Sequence, residues 1–270
     1  MANREPLRAI LVVTTTLALV AIAVIALERQ TIPQYAKPHY KKHVASQAAQ
    51  PATKPAPTPS SATSTTESTA LNLTHHDVIT SEFWVGEPAD GDNGGINNLG
   101  STWDESWLQH FGGVDSPNNR NGYLPADFTP HENPFYFALP YSDFDSRDHR
   151  KASGQNCLNN SGNSSTAVSW CKNTWIAIRF VTAAKQTRIV YAQWEDAGPF
   201  GEDDTAYVFG TARPANTTNL AAGLDVSPAV SDYLGLSGNN LTSWTFVRTQ
   251  DVPDGPWKQI VTTVPGRTAD

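Results

Sequence analysis

The sequence predicts a mainly β protein: a small closed or nearly closed β-barrel with one short helix, preceded by a transmembrane helix and a disordered linker. An uncharged apolar run near the N-terminus predicts the membrane helix, and a segment rich in Pro, Ala, Ser and Thr predicts the linker. In the remainder, apolar residues form strand-sized groups between Gly, Pro, Asn and Asp. The predicted boundaries are 1–29 for the cytoplasmic stub and anchor, 30–74 for the linker and 75–265 for the barrel domain.

The apolar run covers residues 9–27, AILVVTTTLALVAIAVIAL. Its length suffices to cross a hydrocarbon core of ~30 Å at about 1.5 Å per helical residue. Arg4 and Arg8 precede it, so the positive-inside rule predicts a cytoplasmic N-terminus and an extracytoplasmic C-terminal domain, in the periplasm or at the cell surface. A cleaved signal peptide is the alternative, with Ala21-Ile22-Ala23 as a small-x-small site, although that site lies inside the apolar run. Under both interpretations, the body of the chain is exported across the membrane.

The linker, residues 30–74, cannot bury enough apolar surface to offset the entropy lost on ordering. We therefore expect a flexible tether with a typical span of about 35–40 Å.

Charge is distributed unevenly along the chain. Residues 1–74 contain seven Lys and Arg against three Asp and Glu, whereas the whole chain has a formal net charge of −7, so the body is strongly acidic. Such a body repels phosphates, which argues against nucleic-acid binding. An acidic surface suits neutral or cationic ligands; alternatively, the negative charge only keeps the surface solvated.

The two cysteines, Cys157 and Cys171, bracket a Ser-, Asn- and Gly-rich stretch and do not form a CxxC motif. A disulfide closing this loop fits an oxidising compartment and would stabilise the fold by roughly 3 kcal/mol; two unrelated thiols are the alternative. The histidines show no metal-ligand spacing, so we expect neither a metal site nor a cofactor.

Short apolar groups predict the strands of the barrel. Alternation of Ile176, Ile178 and Phe180 with smaller or charged residues is the period of a strand with one buried face. A short helix is predicted to begin after an N-cap at Ser227 and to end at Gly235. The predicted strands are Glu82–Val85, Phe135–Leu139, Trp175–Val181, Arg188–Trp194, Tyr207–Phe209 and Ser243–Val247.

Two aspartates carry the candidate chemistry. Asp196 follows a predicted strand and precedes the Gly198-Pro199 turn, where a carboxylate is rigidly held and can face a cleft. Asp225 lies two residues before the helix N-cap, where its charge also suits the helix dipole. Asp225 is therefore either a catalytic partner of Asp196 or a residue that pins the helix and its loop.

These motifs, in this order, resemble the rare lipoprotein A family. The matching segments are Asp196-Ala197-Gly198-Pro199-Phe200, Leu224-Asp225-Val226-Ser227-Pro228-Ala229, Tyr233-Leu234-Gly235-Leu236 and Ser243–Val247. The resemblance implies a six-stranded double-psi β-barrel with a short helix and long loop insertions. It covers residues 190–247 well and 83–181 only loosely.

The family acts on or binds peptidoglycan, and some members are lytic transglycosylases. The resemblance therefore implies a cell-envelope glycan as partner, with Asp196 and Asp225 as the catalytic pair. Catalytic members have a histidine at the position of Tyr136, and the insertion 141–172 has no counterpart in the compact family form. Two functions follow: an enzyme, either a lytic transglycosylase or a glycoside hydrolase, or a non-catalytic glycan-binding or structural module.

Aromatic side chains supply the candidate substrate contacts, because sugar rings stack on aromatic faces. Tyr136 and Trp194, together with Glu195, are the predicted substrate-binding residues. Most of the eight tryptophans are more simply explained as core residues of a small β domain.

Overall fold

The computed structural model describes residues 69–90, 93, 95–145, 148–159 and 168–264. The predicted anchor and most of the predicted linker lie outside these residues. Within the described ranges, none of the helices has the length and apolar character needed to cross a membrane.

Six strands form a closed barrel in the order β1-β7-β4-β6-β5-β8. Two neighbouring pairs, β1 with β7 and β4 with β6, are parallel, and the other four contacts around the barrel are antiparallel. A separate two-stranded sheet, β2 with β3, lies in the connection before β4. The strands are β1 Thr74–Glu82, β2 Arg120–Asn121, β3 Leu124–Pro125, β4 Tyr136–Leu139, β5 Trp175–Val181, β6 Thr187–Ala197, β7 Leu224–Val226 and β8 Asn240–Val247.

Short helices occupy the connections. The α-helices are α1 Trp107–Phe111, α2 Thr205–Val208 and α3 Pro228–Leu234. The 3-10 helices are Thr69–Asn72, Ala152–Asn156, Asn219–Ala221, Thr249–Asp251 and Pro256–Lys258.

The structure confirms β5 and helix α3 as predicted. The Ser227 hydroxyl accepts from Val230 N at 3.3 Å and also donates to Pro134 O at 2.7 Å, so it both caps the helix and fixes it to the segment before β4. Gly235 ends α3 with a left-handed φ of 73°.

Two strand predictions were wrong. The first strand runs over Thr74–Glu82 instead of Glu82–Val85, because its polar residues pair with β7 and β8 although they lack an apolar alternation. A 3-10 helix at Thr69–Asn72 precedes β1, within the last residues of the predicted linker. The predicted strand at Tyr207–Phe209 is instead part of α2, since the Asp204 side chain accepts from Tyr207 N at 3.2 Å and caps a helix there.

Apolar side chains form two clusters, on opposite faces of the barrel wall. One fills the barrel and includes Phe137 and Leu139 of β4. The other contains Tyr136 and Ala138, which alternate with them along the strand. Residues 83–111 supply the remaining members of this outer cluster, so β4 is covered on both faces.

Cys157 and Cys171 are bonded as predicted, with their Cα atoms 4.9 Å apart. The bridge closes the segment that precedes β5.

Candidate functional site

Four neighbouring strands place one residue each in a line across the outer face of the barrel. Ser81 of β1 pairs with Asp225 of β7, Asp225 pairs with Ala138 of β4, and Ala138 pairs with Asp196 of β6. Because paired residues share a face of a sheet, all four side chains point to the side of the outer cluster. We call these four residues the acidic row. Its two aspartates are two strand spacings apart, about 10 Å between Cα atoms.

The Asp225 carboxylate is partly exposed and receives a hydrogen bond from the Ser81 hydroxyl. Burial raises its pKa to about 6, and the Ser81 bond offsets part of that effect. Gly198, in the turn after β6, packs over the row: a Cβ at that residue would lie 3.7 Å from Asp225 Oδ2 and 3.9 Å from the Ala138 Cβ. The turn that follows Asp196 therefore also borders Asp225.

A bulge positions Asp196. Phe137 pairs with Trp194 and Ala138 with Asp196, so Glu195 is the extra residue in β6. Asp196 is buried, and its Oδ1 accepts from Thr102 N at 2.7 Å and from Ala197 N at 2.8 Å. Burial raises its pKa to about 7 and the charge of Glu202 adds to the rise, against the two backbone bonds that lower it.

Glu87 is a third carboxyl group beside the row that the sequence interpretation missed. It is buried, accepts from Asn98 Nδ2 at 2.7 Å, and has a pKa raised to about 7 by burial and, to a smaller extent, by the charge of Asp225. It lies in a loop with no recognisable motif, and only the folding of residues 83–115 brings it to Asp225. Sequence spacing carried no signal that Glu87 would lie near enough to Asp225 for the charge of Asp225 to raise its pKa.

Tyr136 was predicted to bind substrate, but it is a fully buried member of the outer cluster. Its hydroxyl donates to Asp115 Oδ2 at 2.9 Å and accepts from Val85 N at 3.0 Å, while its ring contacts Phe83 and Trp107 edge-on. A side chain with no exposed surface cannot stack on a sugar, so we assign Tyr136 to the core.

Trp194 is likewise a core residue and not the groove residue that was predicted. It is fully buried inside the barrel, stacks on Phe137 and donates from Nε1 to the Asp196 carbonyl at 2.7 Å. Trp194 thus supports the backbone of Asp196 from the opposite face of the wall.

Glu195 points into a buried ionic cluster instead of a substrate groove. Its carboxylate lies 3.3 Å from Lys172 Nζ, which also lies 3.9 Å from Glu132 Oε1, and all three side chains are buried. Burial raises the pKa of Glu195 to about 8 despite the opposing charge of Lys172. Burial alone would lower the pKa of Lys172, but the two glutamates reverse this and raise it. Because the single Lys172 ammonium lies between two glutamates, the cluster favours a state in which one of the two glutamates is protonated.

Across the described residues, no three His, Cys, Asp or Glu side chains are grouped so that they could hold a metal ion. No protein-family model matches the sequence, no curated protein is detectably similar to it, and no solved structure matches its fold.

The chemistry available to the row follows from its geometry. Asp196 and Asp225 lie on the two strands that flank β4, on the same face of the barrel wall, and their pKa values are raised to different extents. Asp196, which has the higher pKa, is the more buried of the two. Such a pair can supply an acid that is protonated near neutral pH and a partner that ionises first.

Proposed function

We propose that this chain is a membrane-tethered barrel whose acidic row cleaves glycosidic bonds of the cell-envelope glycan, peptidoglycan. The observation that carries the proposal is the placement of Asp196 and Asp225 on either side of Ala138, on one face of the barrel. We also propose that the barrel is of the double-psi type, as in the rare lipoprotein A family. The closed six-stranded barrel, its two parallel pairs and the helix α3 before the last strand support this fold.

Asp196 acts as the general acid in this proposal. Two N–H donors hold its Oδ1, so the proton resides on Oδ2. A pKa near 7 keeps a large share of the group protonated at neutral pH, as protonation of a departing glycosidic oxygen requires.

Asp225 acts as the partner that accepts a proton. With a pKa of about 6 it is mostly ionised at pH 7, when Asp196 is still about half protonated. It can accept the proton of a water that attacks the anomeric carbon, which gives hydrolysis, or that of the sugar's own hydroxyl, which gives a transglycosylase product. Carboxyl groups of inverting glycosidases are ~6.5–9.5 Å apart, a range that two side chains flanking one strand can reach.

A non-catalytic glycan-binding or structural module is the second candidate. The observation that favours it is the burial of Asp196, which is only 8% exposed, so a substrate oxygen reaches it only if the Gly198 turn or the segment around Thr102 moves. Tyr136, which stands at the position of the family's histidine, also favours the non-catalytic candidate, because its hydroxyl is already hydrogen-bonded to Asp115 and Val85.

Residues 9–27 are proposed to anchor the chain in a membrane, with the barrel in the periplasm or at the cell surface. This part of the proposal depends on the apolar run and the basic residues before it.

Purified full-length protein incubated with peptidoglycan sacculi tests both functions. Soluble fragments are analysed by mass spectrometry, and sedimentation with the sacculi measures binding. Asp196→Asn removes the proposed acid without changing side-chain size, and Asp225→Asn removes its partner. Asp254→Asn is the matched control, since this aspartate is fully exposed and lies after the last barrel strand.

Cleavage by the wild type and by Asp254→Asn, with loss of at least about 100-fold in Asp196→Asn, supports catalysis. Fragments one water lighter than hydrolysis products identify the transglycosylase route. Binding of all four proteins without any product selects the module. Absence of both binding and product contradicts both functions.

A further inference from the structure

Exposed aliphatic side chains are concentrated around strand β8. Leu241 of β8 is 55% exposed and pairs with Ile79 of β1, which lines a shallow depression together with the 73% exposed Leu220. Val181 continues this surface, since the register of β5 and β8 places it beside Leu241, and Ile189 lies on the same face of the adjoining strand β6. Neither apolar cluster of the fold includes these five side chains, which we call the aliphatic face. A contiguous exposed surface of this kind indicates a binding surface.

Acidic residues are rare on this side of the barrel, although the body of the chain is strongly acidic. Strands β5 and β8, most of β6 and the loop that carries Leu220 lie in three segments without Asp or Glu, residues 173–194, 205–224 and 233–250. Asp77 lines the depression at the edge of the aliphatic face, together with the basic residue Arg213. The charge of this side is therefore opposite in sign to that of the body as a whole.

Three basic side chains border the aliphatic face. Arg179 is exposed and is the Cα partner of Ile189, and Lys185 lies in the exposed turn between β5 and β6. Arg213 is also exposed, and its guanidinium donates to two backbone carbonyl groups. Within the described residues, no carboxylate forms an ion pair with any of these three cations. Exposed aliphatic groups bordered by unpaired cations are suited to the surface of an anionic bilayer.

The chain enters the barrel on this same side. The Thr245 hydroxyl of β8 donates to Leu73 O at 2.8 Å, so the end of the predicted linker runs beside β8. In the ring of six strands β8 lies opposite β4, with two strands between them in either direction. Asp196 and Asp225 are on the two strands that flank β4, and they therefore lie on the side away from β8.

We propose that the aliphatic face docks on an anionic lipid bilayer, the one in which residues 9–27 are proposed to anchor the chain. The aliphatic side chains enter the headgroup region, and the three cations contact lipid phosphates. The acidic row then faces away from the bilayer. This inference rests on the anchor of the proposed function and does not require that the row be catalytic. Each basic residue contributes about fivefold, so the three together raise the ratio of docked to undocked protein on the order of 100-fold over a neutral bilayer.

Fluorescence of the full-length protein in lipid vesicles tests the docking. The two native cysteines are bonded to each other, so an introduced cysteine is the single reactive thiol. Ala184→Cys, in the exposed turn between β5 and β6, carries an environment-sensitive nitrobenzoxadiazole label. Asn118→Cys carries the control label, because it is exposed in the connection that covers β4. The vesicles contain phosphatidylcholine alone or with about 30% phosphatidylglycerol.

We expect the label at residue 184 to shift to shorter wavelength on the anionic vesicles only, and to return in about 0.5 M NaCl. The control label should keep its emission on both. Unchanged emission from residue 184 on anionic vesicles would overturn the proposal. A shift that follows protein density instead of lipid charge would assign the face to contact between copies of the chain, and would overturn it as well. Flotation with the neutral vesicles tests the anchor separately: protein that does not float with them contradicts the anchor, while the label on anionic vesicles still decides the docking.

Two double variants of the labelled protein assign the contacts. Arg179→Gln with Lys185→Gln removes two of the three cations and should lower the ratio of docked to undocked protein about 30-fold on anionic vesicles. Leu220→Gln with Leu241→Gln removes the two most exposed aliphatic side chains of the face and should lower this ratio by at least about tenfold.

Ile96→Gln with Val114→Gln is the matched control. These aliphatic side chains are about half exposed, but they belong to the connection that covers β4, on the other side of the barrel. The control should dock as the unsubstituted labelled protein does. A loss of docking in the control equal to the loss in the two face variants would refute the assignment of the aliphatic face.

Discussion

Replacing Tyr136 with Phe tests whether this residue is structural, as its contacts indicate, or part of a binding surface. The change removes one oxygen from a site with no solvent access. Asp115 loses a hydrogen-bond donor and Val85 N loses its acceptor. A bond to a carboxylate contributes about 1.5–3 kcal/mol, and a buried N–H left without a partner costs about 1–3 kcal/mol. We therefore expect a loss of about 3 kcal/mol in the free energy of unfolding.

Urea denaturation followed by tryptophan fluorescence measures this loss, which for a domain of this size corresponds to a fall of about 9 °C in Tm. Tyr191→Phe is the matched control: Tyr191 is half-buried and its hydroxyl makes no hydrogen bond within the described part of the chain. We expect the control to change stability by less than about 0.5 kcal/mol. If Tyr136→Phe behaved like the control, the hydrogen bonds assigned to its hydroxyl would be wrong.

Three further predictions concern stability. Replacing Cys157 and Cys171 with Ser should lower the free energy of unfolding by about 3 kcal/mol, and an unchanged urea midpoint would argue against the bridge. Ser227→Ala should cost about 1–2 kcal/mol, seen as a lower Tm, because it removes the cap of α3. Stability should fall as pH rises from about 5 to 8, since the raised pKa of Glu195 makes the folded state retain a proton that the unfolded chain releases. The raised pKa values of Asp196, Asp225 and Glu87 act in the same direction, and the lowered pKa of His75, about 4, opposes them only below pH 6.5. Thermal scans should therefore show a decline in stability from pH 5 to 8, and a constant Tm over this range would contradict these shifts.

Local sequence signals predicted the elements that local chemistry determines. Helix α3 was found because Ser227, Pro228 and Gly235 specify its two ends without help from the rest of the chain. Strand β5 was predicted correctly because its apolar residues alternate along the chain, as expected for a strand with one face against the barrel core. Both are features that a window of ten residues contains.

Elements that depend on distant partners were missed or misjudged. Strand β1 carries polar residues such as Thr80, whose hydroxyl bonds at 2.8 Å to Thr242 on the neighbouring strand β8, and no local pattern shows that partner. Dependence on distant partners also explains which residues of the candidate site were predicted and which were not. Asp196 and Asp225 were identified from the motifs around them, whereas Glu87 and the buried position of Tyr136 depend on the fold of residues 83–115.

Raised carboxyl pKa values couple the stability of the fold to the chemistry proposed for the row, since Glu195 and Asp196 both hold protons near neutral pH. A decline in activity above pH 7 could then arise from ionisation of the acid or from unfolding. Glu195→Gln separates them, because the amide imitates the protonated glutamate beside Lys172. We expect the variant to match the wild type in stability near pH 4, where Glu195 is protonated in both the folded and the unfolded chain, and to exceed it increasingly at pH 6 and 8.5, in parallel urea titrations. Any activity should still decline near pH 7, as Asp196 is unchanged. A variant that is several kcal/mol less stable at pH 6 would show that Lys172 requires an ionised Glu195, and would refute the proton assignment in this cluster.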